Sequence, residues 1–169
     1  MTRLGAIAGS ILFLFVAPGI VAGVIPWSIS YYRINPPLFG IAPLCWLGVL
    51  LLILGVVLLL ETFARFALQG LGTPAPIAPT RTLVVTGSYR FVRNPMYVAV
   101  VSLILGQGLA LGNAAVLGYG LVVWLVVHLF VLTYEEPTLS YSYGEQYDRY
   151  RAHVRRWLPR LTPWNDQAT

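Results

Sequence analysis

The chain has 169 residues, of which 57% are hydrophobic and only 10% are charged. This composition differs from that of an average soluble domain and predicts one small integral membrane domain, residues 1–169. The formal net charge of +5 is carried by arginine alone, because the chain contains no lysine. These arginines flank apolar segments, which indicates contact with membrane lipid headgroups and argues against a nucleic-acid partner.

Four apolar segments predict four transmembrane helices, each judged against the roughly 20 residues that cross a bilayer. They are Leu4–Ile29, Ile41–Phe66, Pro95–Leu111 and Ala114–Tyr134. The first begins like a signal peptide, but its apolar stretch is longer than a signal core, so we expect a span that is retained. The connection around Gly112 and Asn113 is very short, so the last two spans form an antiparallel hairpin over 95–134.

Arginine distribution predicts the orientation of these spans. With four spans, both termini lie on the same side as the connection 70–94, which begins with the Pro-rich stretch Gly70 to Thr80. Every arginine except Arg33 falls on that side, so the positive-inside rule places it in the cytoplasm. We therefore expect an integral protein of the bacterial inner membrane with two N-terminal spans (1–69), the hairpin, and a cytoplasmic tail (135–169).

The tail is predicted to form one amphipathic helix on the cytoplasmic interface, ended by Pro159 and Pro163. Apolar and aromatic residues recur there at steps of three or four: Leu139, Tyr143, Tyr147, Tyr150, Val154 and Trp157. The predicted fold is thus an all-α integral membrane protein with about four transmembrane helices, a C-terminal helical hairpin and this tail helix.

The first candidate site is the stretch in front of the third span. Pro95 fits the first helical turn, Asn94 takes the cap position, and Tyr97 lies one turn inside. Tyr89 precedes the helix, and a helix N-terminus with two arginines, Arg90 and Arg93, beside it can receive an anionic group. The alternative is ordinary positive-inside anchoring with an aromatic belt.

The second candidate site is Glu135 and Glu136, where the fourth span is predicted to end. Two acids at a helix C-terminus oppose the local dipole, which indicates that they either pair with nearby arginines or hold a cationic or hydroxyl-bearing ligand. The hairpin brings them to the same membrane face as Arg93. Opposite charges converging there predict a zwitterionic ligand.

His128 is an ionisable residue inside the fourth span. It lies seven residues before Glu135, which predicts the same helix face two turns deeper. Such a residue is either functional or a neutral histidine hydrogen-bonded to a neighbouring helix. With one cysteine, Cys45, and two histidines, the sequence predicts no metal site. The glycines of Gly106 to Gly112 indicate close helix packing rather than a nucleotide-binding loop.

The stretches "LVVTGSYRFVRNPMYVAV" and "YEEPTLSYSYGEQYDRYRAHVRRWLPRLTPW" resemble the isoprenylcysteine carboxyl methyltransferase family and its bacterial relatives. In that family a G-x-Y-R-x-x-R-[HN]-P-x-Y segment, a helical hairpin and an E-E-x-x-L tail follow in this order. The resemblance spans Gly72 to Pro163. Asn94 stands where eukaryotic members have histidine, and Ala99 where glycine is common.

The resemblance implies a membrane methyltransferase that uses S-adenosylmethionine on a lipid-like acceptor: a prenylcysteine-type carboxylate, an isoprenoid or a phospholipid. It implies these cofactor-binding residues: Tyr89, Arg93, Asn94, Pro95, Tyr97, Glu135 and Glu136. We predict catalytic roles for Arg93 and for His128, the latter as general base if the acceptor is an amine or thiol. The alternatives are an NADPH-dependent membrane reductase of the sterol-reductase type and a non-enzymatic lipid-binding membrane protein.

Overall fold

The computed structural model describes residues 12–69 and 83–165, and within these ranges it is helical without a strand. Its helices are α1 (Leu12–Ser30), α2 (Pro43–Gln69), α3 (Pro95–Ala110), α4 (Ala114–Tyr143) and α5 (Glu145–His153). The start of the first predicted span and the Pro-rich connector lie outside the described residues.

The helices confirm the prediction of an all-α integral membrane protein. Helices α1, α2 and α4 are long and apolar enough to cross a membrane. Helix α3 is also apolar, but its 16 residues reach only about 24 Å at the usual rise per residue. Large side chains such as Trp46 (75% exposed) and Val126 (60% exposed) point away from the protein, as lipid-facing residues do.

Close contact between α2 and α3 forms the centre of the fold. A Cβ atom built on Gly48 would lie 2.7 Å from the carbonyl oxygen of Gly106, and one on Gly106 would lie 2.9 Å from that of Gly48. The two backbones therefore touch, which confirms the packing interpretation for Gly106, the first glycine of Gly106 to Gly112. Around this contact lies a core of buried side chains: Leu59, Phe63, Ala99, Val100, Ile104 and Val116.

The predicted hairpin of α3 and α4 is confirmed. Gly112 turns the chain with a φ of +62°, which favours glycine. The Asn113 side-chain oxygen then accepts the Val116 N–H at 3.1 Å and caps α4. From the preceding loop, the Asn35 N–H donates to the Leu111 carbonyl at 3.0 Å, which holds the turn against the α1–α2 connection.

Helix α1 contains a π-helical turn, Ile20–Val24, whose carbonyls bind side chains of the hairpin. Gln107 donates from Nε2 to the Ala22 carbonyl at 2.7 Å, and the Tyr119 hydroxyl donates to the Val21 carbonyl at 2.9 Å. These bonds fix α1 on the hairpin inside an apolar environment, where a polar group needs a partner.

Helix α4 continues past the predicted end of the fourth span. A second π-helical turn, Val131–Glu135, joins its first part to Glu136–Tyr143 without a break. Glu135 and Glu136 therefore lie within a helix, and the expectation that they oppose the dipole of a helix C-terminus is wrong.

The tail is not the single amphipathic helix that we predicted. The helical stretch is interrupted at Gly144, which has a φ of +50°, and α5 ends at His153, before either proline. The following segment instead runs beside residues 90–93, because the Arg93 N–H donates to the Arg155 carbonyl at 2.9 Å and the Arg160 N–H donates to the Phe91 carbonyl at 2.9 Å. Trp157 thus lies on an irregular segment that these hydrogen bonds hold against the residues just before α3.

Candidate functional site

A cavity lies where the segment before α3, the start of α3, the second half of α4 and helix α5 meet. It encloses about 640 Å³ of space including its open mouth. Its polar lining consists of Tyr89, Arg93, Asn94, Tyr97, Glu135, Tyr143 and Tyr150. The structure thus brings both predicted clusters to one place, with Pro95 buried directly behind them at the first turn of α3.

Arg93 is the main positive group of this cavity. One terminal nitrogen donates to the Tyr147 hydroxyl at 3.1 Å and lies 3.2 Å from Glu136 Oε1. Its Nε is buried and has no hydrogen-bond partner among the described residues. A buried guanidinium donor left unpaired destabilises the protein, so this atom is available to an anionic or carbonyl acceptor.

Glu135 is the negative group of the same cavity. The Tyr97 hydroxyl donates a hydrogen bond to its carboxylate. Its Oε2, however, is buried without a partner in the described part of the chain. Arg93 and Glu135 thus both line the cavity, and each has one buried side-chain atom without a partner among the described residues. A positive and a negative residue in one cavity are complementary to a ligand that carries both an anionic and a cationic group.

Glu136 lies behind Arg93 rather than in the cavity lining. Its carboxylate accepts two bonds from Arg156, at 2.6 Å from Nε and 2.9 Å from the terminal nitrogen. This bidentate bond raises the pKa of Arg156 above its ordinary value. Glu136 holds Arg93 and the tail in place, and its direct contact with a cofactor stays a prediction.

Asn94 is buried at the cap position of α3, but its side chain forms no capping hydrogen bond. Its amide nitrogen instead donates to the Arg156 carbonyl at 3.3 Å. Asn94 therefore joins the cavity wall to the same tail residue that Glu136 binds.

Buried phenols complete the wall on the tail side. Burial raises the pKa of Tyr147 and Tyr150, and for Tyr89 burial and then the charge of Glu135 raise the pKa. These hydroxyls therefore stay protonated, and Tyr147 accepts a hydrogen bond from Arg93. Tyr150 donates to the Tyr89 carbonyl at 2.6 Å. From the sequence we assigned Tyr147 and Tyr150 only to an amphipathic stripe.

A second set of charged residues, at the end of α2, was missed from the sequence. Glu61 pairs with Arg65 one turn later and accepts a hydrogen bond from the Ser88 hydroxyl at 2.6 Å. Gly87, with a φ of +54°, lies directly against the Arg65 guanidinium, where a Cβ would collide. These contacts position Tyr89. The sequence does contain a signal for this ion pair, because an acid and an arginine stand four residues apart within an apolar run.

His128 does not line the cavity. The π turn Val131–Glu135 lies between His128 and Glu135 and shifts the helical phase, so the expectation of a common face is wrong. Its ring stacks on Trp124 with centroids 5.3 Å apart, and its Nδ1 accepts the Trp157 indole N–H at 3.0 Å. The catalytic role of His128 stays a prediction.

An apolar groove runs between α3 and α4 next to the cavity, with about 860 Å³ of space including its open side. Its lining includes Val98, Val101, Leu105, Leu121, Trp124 and Trp157. Tyr97 lines both the groove and the polar cavity. The polar and apolar spaces therefore adjoin at this residue.

The sequence is similar to known proteins over the part of the chain that forms this site. The sequence model described as phospholipid methyltransferase matches residues 44–146. A protein-S-isoprenylcysteine O-methyltransferase of Schizosaccharomyces pombe is 36% identical over 78 residues, which cover 46% of this chain and 33% of that protein. An uncharacterised Haemophilus influenzae protein is 35% identical over 63 residues, 37% of this chain and 100% of that protein. No solved structure matches the chain significantly.

Proposed function

The chain belongs to the phospholipid methyltransferase family, which includes isoprenylcysteine carboxyl methyltransferases, and from this we propose that it is a membrane methyltransferase that uses S-adenosylmethionine. Family membership confirms the resemblance seen in the sequence. The methyl donor, the acceptor and the orientation in the membrane are parts of the proposal. We place the cavity and both termini in the cytoplasm on the arginine distribution, and the protein in a bacterial inner membrane on its lysine-free, arginine-rich composition.

The observation that carries the proposal is the pair of oppositely charged residues, Arg93 and Glu135, that line the same cavity. The amino-acid end of S-adenosylmethionine carries a carboxylate and an ammonium group. Arg93 Nε supplies a buried donor and Glu135 Oε2 a buried acceptor, without partners among the described residues. The donor set therefore fits a zwitterion, as converging opposite charges do. No described cluster of His, Cys, Asp or Glu suits a metal ion.

The bound cofactor supplies an electrophilic methyl group on a sulfonium sulfur. The protein binds and orients the cofactor and the acceptor, and it excludes water from the site. Arg93, fixed by Glu136 and Tyr147, holds the carboxylate, while Glu135, fixed by Tyr97, accepts from the ammonium or a ribose hydroxyl. Residues 155–160 are hydrogen-bonded along residues 91–93 and hold the tail against the segment that carries Arg93.

The acceptor is proposed to be an amphiphile that enters sideways from the bilayer. Its polar group would lie in the cavity near Tyr97, and its hydrocarbon part in the adjoining groove. A carboxylate acceptor, as in prenylcysteine-type substrates, needs no general base, whereas a phospholipid amine needs a group to take its proton.

The test is calorimetric titration of the detergent-purified protein with S-adenosylmethionine, its demethylated product and NADPH. We expect binding of the first two, weakened about tenfold or more by Glu135→Gln and by Arg93→Ala, since each removes a charged hydrogen bond. Arg149→Ala, at an exposed position on α5, is the control and should bind normally. Heat from NADPH alone would indicate a reductase, and no heat from any of the three ligands would indicate a non-enzymatic lipid-binding protein.

A further inference from the structure

A second polar space, which we call the basic cleft, lies beside the end of α5 and the irregular segment that follows it. It contains about 1020 Å³ of space including its open side. Its charged and titratable lining consists of Arg93, Arg151, His153, Arg155 and Arg160. No aspartate or glutamate of the described residues lines it. Because like charges repel, four arginines in one cleft favour an anion that binds several of them at once.

The arginines of the basic cleft retain capacity to bind such an anion. Arg160 donates from one terminal nitrogen to the His153 carbonyl at 2.7 Å, which leaves further N–H donors on this guanidinium. Arg151 pairs with Asp148 at 3.1 Å, but the two side chains are 48% and 49% exposed, and an ion pair in water contributes little. The planar guanidinium group matches the oxygens of a phosphate, which identifies the anion by its chemistry.

The position of the basic cleft relates it to the membrane. The Arg155 carbonyl accepts the Arg93 N–H at 2.9 Å, and α3 begins two residues after Arg93. The indole of Trp157 donates to His128 Nδ1 on α4 at 3.0 Å. Both contacts hold the segment that carries the cleft against membrane helices. The cleft therefore lies near the plane where α3 enters the bilayer.

Two leucines beside the cleft are left in contact with the surroundings of the protein. Leu158 is 65% exposed and Leu161 is 100% exposed, and Leu161 also lines the cleft. Exposed leucines that alternate with arginines are typical of a segment in the membrane interface, where the apolar side chains enter the lipid and the charged groups stay at headgroup level.

We propose that the basic cleft binds the phosphate group of an anionic phospholipid in the adjoining leaflet. The source is a lipid rather than free phosphate, because Leu158 and Leu161 place lipid next to the arginines. The bound headgroup neutralises the cleft and docks the tail on the membrane. This role goes beyond the proposed methyl transfer and does not depend on the methyl donor. Arg93 lines both the cleft and the cofactor cavity, so the experiments leave it unchanged.

The first experiment measures how fast phenylglyoxal modifies each arginine of the full chain, mapped by mass spectrometry. The protein is placed in nanodiscs of phosphatidylcholine alone or of an equimolar mixture with phosphatidylglycerol. We expect Arg155 and Arg160 to react about fivefold more slowly in the mixture. Arg149 is exposed on α5 outside the cleft and should react equally in both. Unchanged rates at Arg155 and Arg160, or equal slowing at Arg149, would overturn the proposal.

The same reaction distinguishes the two sources of phosphate. Inorganic phosphate is added to the phosphatidylcholine nanodiscs at the concentration of phosphatidylglycerol used in the mixture. We expect no slowing at Arg155 or Arg160, because free phosphate lacks the acyl chains that the leucines contact. Slowing as large as that in the mixture would contradict the assignment to a lipid.

The second experiment titrates the detergent-purified protein with phosphatidylglycerol and counts bound lipid by native mass spectrometry. We expect Arg155→Gln to raise the dissociation constant about fivefold, since one charge of the cleft is lost. Arg149→Gln removes the same charge outside the cleft and should bind like the wild type. Circular dichroism checks that both variants keep their helices. Equal affinities of both variants would show that net charge alone attracts the lipid, and the cleft would not be its site.

Discussion

Asn94 and Arg156 are joined by a hydrogen bond of 3.3 Å from a side-chain amide to a main-chain carbonyl, across 62 positions of sequence. The bond ties the start of α3 to the tail at the point where Arg156 also binds Glu136. Asparagine here is thus a donor that stays neutral at every pH, and this role differs from the proton relay that a histidine at this position could provide.

Replacing Asn94 by Asp tests this role, because aspartate has the same shape but cannot donate. It also adds a negative charge close to Glu136. We expect S-adenosylmethionine to bind about tenfold more weakly, since the part-buried Arg156 carbonyl loses its donor and the tail is held less firmly beside Arg93. Titration calorimetry measures the change. Gln146→Glu introduces the same charge at an exposed position and should bind like the wild type, and equal affinities of all three proteins would contradict the prediction.

Arg156→Lys tests the bidentate bond to Glu136. Lysine keeps the charge but cannot form two parallel bonds, so we expect a loss of about 1–3 kcal/mol in unfolding free energy at this half-buried pair. The neighbouring Arg155 is exposed, and Arg155→Lys is the matched control. Thermal unfolding in detergent compares the two variants. Equal melting temperatures of the two variants would show that the positive charge at position 156 stabilises the protein without the bidentate geometry.

Gly48→Ala should loosen the packing of α2 on α3. The added methyl group would lie 2.7 Å from the Gly106 carbonyl oxygen, so the backbones must separate, at a cost of about 1–3 kcal/mol. Gly118 faces open space, and Gly118→Ala should be neutral or slightly stabilising because alanine favours helix. The melting temperatures of both variants in detergent test this prediction, and a Gly48→Ala protein as stable as the wild type would contradict it.

Alkaline pH should detach the tail. Burial raises the pKa of Tyr89, Tyr147 and Tyr150 above that of an unfolded tyrosine, near 10. Their contribution to stability is therefore complete below about pH 10 and is lost as the pH rises further, since the unfolded chain ionises first. Melting temperatures measured against pH should fall above that value. The fall should be shallower in Tyr150→Phe, and parallel curves for the two proteins would refute this explanation.

The apolar pattern was sufficient to predict the fold class, because helices of this length and composition have few alternatives in a bilayer. It placed the hairpin correctly, since a connection through Gly112 and Asn113 leaves no room for another arrangement. It could not predict the π turn Ile20–Val24, where the carbonyls of Val21 and Ala22 accept hydrogen bonds from Tyr119 and Gln107, residues far away in sequence.

Only part of the candidate site could be predicted, because tertiary contacts decide the rest. Arg93, Tyr97 and Glu135 could be placed at one face of the hairpin by topology alone. The different roles of Glu135 and Glu136 could not be predicted, because they depend on which of the two carboxylates Arg156 binds. A strict helical repeat also assigned Trp157 to a surface stripe, although main-chain bonds to residues 91–93 carry the tail away from helical geometry.

The π turn Val131–Glu135 makes the site tolerant of a one-residue deletion at one place in the membrane helix. Such a turn holds one residue more than an α-helical turn. If one residue is deleted there, the turn can close as an ordinary α-helical turn, and Glu135 keeps nearly the same direction relative to the residues before the turn. The same deletion in a part of α4 that is already α-helical would rotate Glu135 by about 100° relative to the residues before it, and away from Tyr97. Homologues with a gap within the π turn should therefore keep the pocket, whereas those with a gap earlier in α4 should have a reorganised one.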